Sequence, residues 1–320
     1  MKQKQNKTKL HELEMRQVYA TTLVELIEDN PNVICLEADL GLGSQTIPIV
    51  KETQPHNFID VGIAEANMIG ISAGLSREEK IPFCASFSGF ATRRAYDQIT
   101  VSVAYANNNV NIIGYSPGVL TTVNGGTHMD FQDLAIMRAM PNMKVFSPVD
   151  VYELRAVMQY MADNIGPMYM QLNRLKAPKV FDVDYVFDPE QALQLSEGNN
   201  ITLVSTGLAT NIVVDTVKML NKEGISIDHL HYPSVKPFDA GTIVKSAQKT
   251  GTVITVENQN IIGGLGSAVC EVLSEKYPTN VTRIGIKERF GEVGSLDYLI
   301  DTMEFSPNHI FDTCKKILNR

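Results

Sequence analysis

Apolar and polar positions alternate along this chain in two rhythms, and the switches between them predict its elements. Apolar runs of strand length lie at 32–39, 58–62, 81–87, 109–116, 143–149 and 167–174. Between them run stretches with helical spacing, at 13–29, 63–75, 91–106, 129–140 and 151–163. Apolar strands separated by helices predict a mainly parallel sheet covered by helices on both faces. The rhythm breaks near 176–200, where Pro178, Pro189, Gly198, Asp182, Asp184, Asp188 and paired asparagines read as a linker. It restarts with strands at 201–207, 226–235, 251–258 and 281–286 and helices at 210–223, 239–249, 263–277 and 307–318. The expected class is α/β in two domains: 12–178, a linker at 179–197, and a smaller α/β domain at 198–320.

Composition narrows the function classes. Of 320 residues, 44% are hydrophobic and 20% charged, with a formal net charge of -8, as in a globular protein without a basic surface. Nothing recruits phosphate backbones or anionic lipid, so neither nucleic acid nor membrane is expected as a partner. The one basic run, MKQKQNKTK at 1–9, reads as a solvated tail, and it lacks the apolar segment of a secretory signal. No apolar run reaches membrane-spanning length. Cys35, Cys84, Cys270 and Cys314 are far apart, with no CxxC and no metal spacing. The first three lie in apolar contexts and read as buried thiols. A reduced, cytoplasmic setting and no metal site follow as expectations.

The segment FIDVGIAEANMIGISAGL (58–75) says most about chemistry. An apolar strand turns at Gly62 into a helix of small and apolar residues, which predicts burial nearly all round. Glu65 stands in its first turn. Two readings are open: an exposed first-turn carboxylate favoured by the helix dipole, or a glutamate at the mouth of a buried pocket, able to hold or share a proton at neutral pH.

Other motifs carry similar alternatives. GLGSQT at Gly41 and GGLGSAV at Gly263 follow strands, but Thr46 and Val269 stand where a dinucleotide fingerprint needs a small third residue. Strand-to-helix turns with glycine for close packing explain both better. In SFSGFATRRAYDQI, Phe87 and Phe90 are either core aromatics or a platform for a flat ring at a strand's carboxyl end. In NGGTHMDFQD, His128 is either a surface or capping residue or an active-site group on a glycine loop. Arg174, in LNR, is a surface ion-pair residue or a fork for a phosphate.

Taken in order, DVGIAEANM, FSGFATRRAYDQI, NGGTHMDFQDLAIMRAMPNM and LNR resemble the transketolase family. The likeness extends over almost the whole chain, through TVENQNIIGGLGSAV and RIGIKERFGEVG. It is closest to the carboxyl-terminal half of a transketolase encoded as its own subunit. The resemblance implies a thiamin diphosphate enzyme of carbohydrate metabolism, with 12–178 as the pyrimidine-binding domain and 198–320 as the carboxyl-terminal domain. It assigns Glu65 to the aminopyrimidine ring nitrogen, Phe90 to stacking on that ring with Phe87 beside it, and Asp39 to the cofactor's vicinity. It assigns His128 to the substrate side of the loop and Arg174 to a sugar phosphate. The implied reaction moves a two-carbon ketol unit from a ketose phosphate to an aldose phosphate, as in the pentose phosphate pathway.

Departures from the family pattern matter as much. The chain has no GDG, the motif that holds diphosphate and magnesium in this family. The resemblance therefore implies an amino-terminal transketolase subunit as partner, carrying that motif and the magnesium, in a dimer of heterodimers. Asn124 stands where the family has an aspartate, and a family histidine aligns near Ser116 and Pro117. Both changes fall on the substrate side. Other readings are a subunit related to deoxyxylulose-phosphate synthase, whose pattern shares RAYDQI, or to the 2-oxo acid dehydrogenase beta subunit. A non-catalytic assembly subunit is the third.

Overall fold

The computed structural model describes residues 7–319 and divides into two compact units. One comprises the chain to Pro117 together with Ala139–Phe187; the other comprises Gly118–Arg138 and the chain from Asp188 onward. The predicted basic tail falls outside the described residues at 1–6. Its remainder opens a short 3-10 helix, Lys7–Glu12, anchored by buried Leu10.

In the first unit the strands are β1 (Val33–Glu37), β2 (Phe58–Asp60), β3 (Ile81–Phe87), β4 (Asn111–Tyr115), β5 (Lys144–Phe146) and β6 (Met168–Leu172). They pair in the order β5-β6-β4-β3-β1-β2, and every pairing is parallel. Helices α1 (Met15–Asp29) and α6 (Val151–Asp163) cover one face. Tyr19, Leu23, Phe83, Ile113, Phe146, Val157 and Met170 interlock there in a fully buried core. Apolar side chains removed from water on this scale are the main stabilising term.

Three helices depart from expectation. Helix α2 (Glu65–Arg77) buries Met68, Ile69, Ser72 and Ala73, but Asn67, Gly70 and Gly74 form an open face. A Cβ at either glycine would meet nothing within 4 Å. The apolar stretch therefore has one uncovered side, where small residues leave little surface to bury. The helix expected at 91–106 is broken into α3 (Ser88–Ala91), a 3-10 turn, α4 (Tyr96–Gln98) and a wide π-turned segment, Ile99–Tyr105. The Thr92 hydroxyl donates to the Ser88 carbonyl at 2.6 Å, and Thr92 leaves helical geometry there. Helix α5 (Asp133–Ala139) starts later than 129 because the Asp130 carboxylate accepts from the Gln132 N–H at 2.9 Å and holds a turn before it.

The second unit carries β7 (Leu193–Ser196), β8 (Ile201–Ser205), β9 (Ile227–His231), the short β10 (Ser234–Lys236), β11 (Thr252–Asn260) and β12 (Asn280–Ile286). Its sheet runs β12-β11-β8-β9-β7, parallel except for the edge strand β7. Helices α7 (Leu208–Lys222), α8 (Ala240–Thr250), α9 (Leu265–Lys276), α10 (Leu296–Thr302) and α11 (Pro307–Leu318) accompany it. Val119, Met129 and Phe131 pack into this unit's core with Ile254 and Ile286. All four cysteines are free; Cys35, Cys84 and Cys314 are buried, whereas Cys270, read as buried, is half-exposed on α9. No helix among the described residues is long and apolar enough to cross a membrane.

Candidate active site

The carboxyl ends of the first unit's strands finish level. Glu37 is in register with Asp60 and Ala85, Phe87 with Tyr115, and Tyr115 with Leu172. Segments leaving this edge carry Asp39, Glu65, Phe87, Phe90 and Arg174, so one rim of one unit gathers them. That rim is where open parallel sheets bind ligands. Asn124 and His128 belong to the second unit.

Gly62, with φ +71°, lets β2 reverse into α2. The Asp60 carboxylate fixes the turn, accepting from the N–H groups of Asp39 and Gly62, each at 3.0 Å. Asp39 itself is exposed. Glu65, at the start of α2, is 2% exposed, so the reading as a surface carboxylate fails. Its oxygens accept from Arg94 Nη1 at 3.0 and 2.9 Å, and the Ser86 hydroxyl approaches at 3.4 Å. The same guanidinium lies over Phe90, 3.9 Å from the ring centroid, and Phe87 meets Phe90 edge-on at 5.9 Å.

Arg94 thus places a planar cation with N–H donors between a buried carboxylate and an aromatic face. Those are the contacts a flat nitrogen heterocycle would make, so Glu65 and Phe90 fit such a ring. The Arg94 side chain is 45% exposed, which leaves it room to withdraw.

Arg174, just past β6, donates from Nε to the Ser116 hydroxyl at 2.6 Å and lies 5.0 Å from the Phe87 ring centroid. Burial, and then the charge of Arg16, hold its guanidinium below the usual range. In the second unit, Gly125 and Gly126 bring the loop before His128 against 291–293. A Cβ on Gly125 would lie 2.8 Å from Val293, and one on Gly126 would strike the Gly291 carbonyl. His128 Nδ1 lies 2.9 Å from the Thr127 hydroxyl, and Asn124 is exposed.

Both glycine clusters are filled by the protein itself. Glu37 Oε1 accepts from the hydroxyls of Ser44 and Thr46 at 2.9 and 2.8 Å. Burial raises the Glu37 carboxyl from the ordinary 4.5 to about 8. Glu257, in β11, accepts from the Leu265 and Gly266 N–H groups at 2.8 Å each, at the start of α9. Burial raises it to about 7, against the pull of those N–H groups and of Arg283. A carboxylate occupies the cradle where a phosphate would otherwise sit.

Sequence reasoning passed over Arg94, Glu37, Asp60 and Glu257. The available signal was a lone acid in an otherwise apolar strand, as in VICLE and VITVEN, and an arginine inside the aromatic motif.

Comparison with known proteins shows the family. Residues 11–179 match the model of the transketolase pyrimidine-binding domain, and 190–310 that of the transketolase C-terminal domain. The chain belongs to the transketolase family. It is 39% identical to the 6-deoxy-6-sulfo-D-fructose transketolase subunit of Clostridium sp. (strain MSTE9), covering 98% of this chain and 97% of that one. It is 34% identical to an apulose-4-phosphate transketolase subunit of Phocaeicola vulgatus, covering 85% and 87%. A solved split-gene transketolase, described as an inactive β4 tetramer, superposes with TM-score 0.87 at 38% identity, covering 96% and 98%. These relatives are transketolase subunits matched nearly end to end, so the transferase reading stands over the synthase, dehydrogenase and non-catalytic ones.

Proposed function

We propose that this chain is the pyrimidine-side subunit of a split transketolase that uses thiamin diphosphate and moves a two-carbon ketol unit from a ketose to an aldose. The observation that carries this is the buried Glu65 carboxylate beside the Phe90 face, with a planar N–H donor already spanning both. Glu65 would hold the proton that activates the cofactor's ring, and Phe90 would stack on that ring with Phe87 fixing its tilt. When bound, the cofactor supplies the carbon nucleophile that carries the two-carbon unit. Asp39 is assigned to the cofactor's vicinity, His128 and Asn124 to the substrate side, and Arg174 to the substrate's terminal anion.

An amino-terminal subunit would supply the diphosphate and magnesium contacts, since this sequence has no GDG. The inactive β4 assembly of a related subunit supports the need for that partner, and two of each chain is the symmetric solution. The free thiols support a cytoplasmic setting. The names of two relatives, one a sulfonated sugar and one a sugar phosphate, support a ketose with an anionic tail.

The test combines the chain with a subunit carrying GDG, adds thiamin diphosphate and magnesium, and identifies the products from a ketose and an aldose. Transfer by the mixture and none by the chain alone is expected. Activity of the chain alone, or a product formed only from pyruvate, would overturn the proposal.

A further inference from the structure

The carboxyl edge of the second unit's sheet is occupied by the chain itself. β8 leads to β9 and β11 to β12, on opposite sides, so the crevice past β8 and β11 is where an open parallel sheet takes a ligand. The segment 118–131 is bound to that edge instead. Its Val119, Met129 and Phe131 share one buried core with Ala209, Val256 and Ile286.

The last three residues of β11 hold both ends of this segment. At the entering end, Asn258 Oδ1 accepts from the Val119 N–H at 3.1 Å. At the leaving end, the Asn260 N–H donates to the Phe131 carbonyl at 2.9 Å, and Gln259 Nε2 lies 3.5 Å from the Asp130 carbonyl. The Gly118 N–H donates to that same Asp130 carbonyl at 2.9 Å and closes the neck. Asn258 can aim inward because regular pairing of β11 with β8 stops at Val256, and its register with β12 shifts between Val256 and Asn260. Asn258 and Val119 are both buried, so losing this bond would leave a backbone N–H without water to replace it.

Gly118 is fitted to Asn258. Its φ is +61°, and a Cβ there would strike the Asn258 carbonyl oxygen and side chain. Beyond the neck, Thr122 has φ +44°, a conformation that persists only where the surroundings impose it. The loop so bent carries Asn124 and His128.

Resting on the transketolase reading, we propose that Asn258 is a positioning residue for the substrate: through Val119 it fixes the loop that presents His128 to the ketose. Asn258 acts through the loop and not on the reacting atoms. The second unit then takes part in the reaction by giving its ligand edge to this loop.

The experiment measures kcat and KM for a ketose phosphate on the enzyme assembled with its partner subunit. Asn258→Ala loosens the joint from the strand, and Gly118→Ala from the loop. Each should raise KM for the ketose by roughly tenfold to a hundredfold, the effect of misplacing a group that binds substrate. Calorimetry should show thiamin diphosphate affinity unchanged, because Glu65 and Phe90 belong to the first unit. Loss of folded protein alone would lower kcat without moving KM. In a His128→Ala background, Asn258→Ala should cost far less than in the wild type, since the group it positions is gone. Hydrogen exchange across 119–131 of the full chain should be faster in Asn258→Ala. A lowered kcat with KM unchanged, equal losses with and without His128, or unchanged exchange across 119–131 overturns the proposal. Absence of transfer by the wild-type assembly counts against the transketolase reading, and the exchange of 119–131 then decides whether Asn258 holds the loop.

Discussion

Both units bury glutamates at the ends of their parallel strands, Glu37 and Glu65 in the first and Glu257 in the second, and these are satisfied by opposite means. In the second unit Glu257 is held by two backbone N–H groups at the start of α9, which cannot turn away. In the first unit the two glutamates at the strand ends, Glu37 and Glu65, have side-chain partners, whereas Glu153, on α6, accepts from the Val149 N–H at 2.7 Å. Glu37 is held by two hydroxyls, which can rotate, and Glu65 by an arginine that is 45% exposed. Fixed donors make a permanent joint between strand and helix, whereas movable donors leave a carboxylate that can change partners. The first unit therefore holds carboxylates whose partners can move, as the proposed role of Glu65 requires, and the second holds one fixed between strand and helix.

The largest effect tests that division directly. Glu65→Gln should cut transfer by the assembled enzyme by more than about a hundredfold, because an amide cannot deliver a proton. Circular dichroism should report an unchanged fold. Turnover near that of the wild type would remove Glu65 from the chemistry.

Next comes the pH response of Glu37. Its folded value, about 8, lies above the ordinary 4.5, so the folded chain holds a proton that the unfolded chain releases between those values. The stability it contributes is fully present below about pH 4.5 and is lost as pH rises through 8. Glu37→Gln keeps an acceptor for Ser44 and Thr46 and cannot ionise. It should match the wild type near pH 5 and exceed it near pH 9 by on the order of 2–5 kcal/mol in urea unfolding. A constant difference across that range would place the titration elsewhere.

Glu257→Gln sharpens the contrast. One oxygen becomes an NH2 group whose hydrogens always meet a fixed backbone N–H, whereas the carboxyl of Glu257, protonated at pH 6 below its value of about 7, can turn its hydroxyl proton aside. The expected cost is about 1–3 kcal/mol of stability at pH 6, measured by urea unfolding. Equal behaviour of Glu37→Gln and Glu257→Gln at pH 6 would erase the distinction between movable and fixed donors.

The sequence exposes one side of this contrast more readily than the other. The parallel sheet, both glycine turns and the edge residues Asp39, Glu65, Phe87, Phe90 and Arg174 were legible because periodicity and motif order are local. The partners of the buried acids were not. Arg94 reaches Glu65 only because Thr92 breaks the helix expected at 91–106. Arg16 reaches the Gly43 loop because Met15 is tied to Leu175 far along the chain. Such pairings depend on which strand ends finish level, which no single stretch records. The open face of α2 escaped for a different reason: small residues look buried in a pattern that counts apolarity but not coverage.

Arg94 gives the smallest expected effect and the closest view of an exchangeable partner. For a ring to stack on Phe90 and reach Glu65, the guanidinium must leave both. Arg94→Ala removes that occupant but strands a buried carboxylate. The cofactor-free chain should therefore melt lower than the wild type, while the gain in melting temperature on adding thiamin diphosphate to the assembled enzyme should be larger. Calorimetry should show cofactor affinity tightened by up to about tenfold, or ~1.4 kcal/mol. Arg94→Lys, keeping a charge without the planar fork, should fall between the two. If Arg94→Ala instead weakens the cofactor and leaves the free chain as stable as before, then Arg94 helps hold the ring, and the contrast between fixed and movable partners does not extend to Glu65.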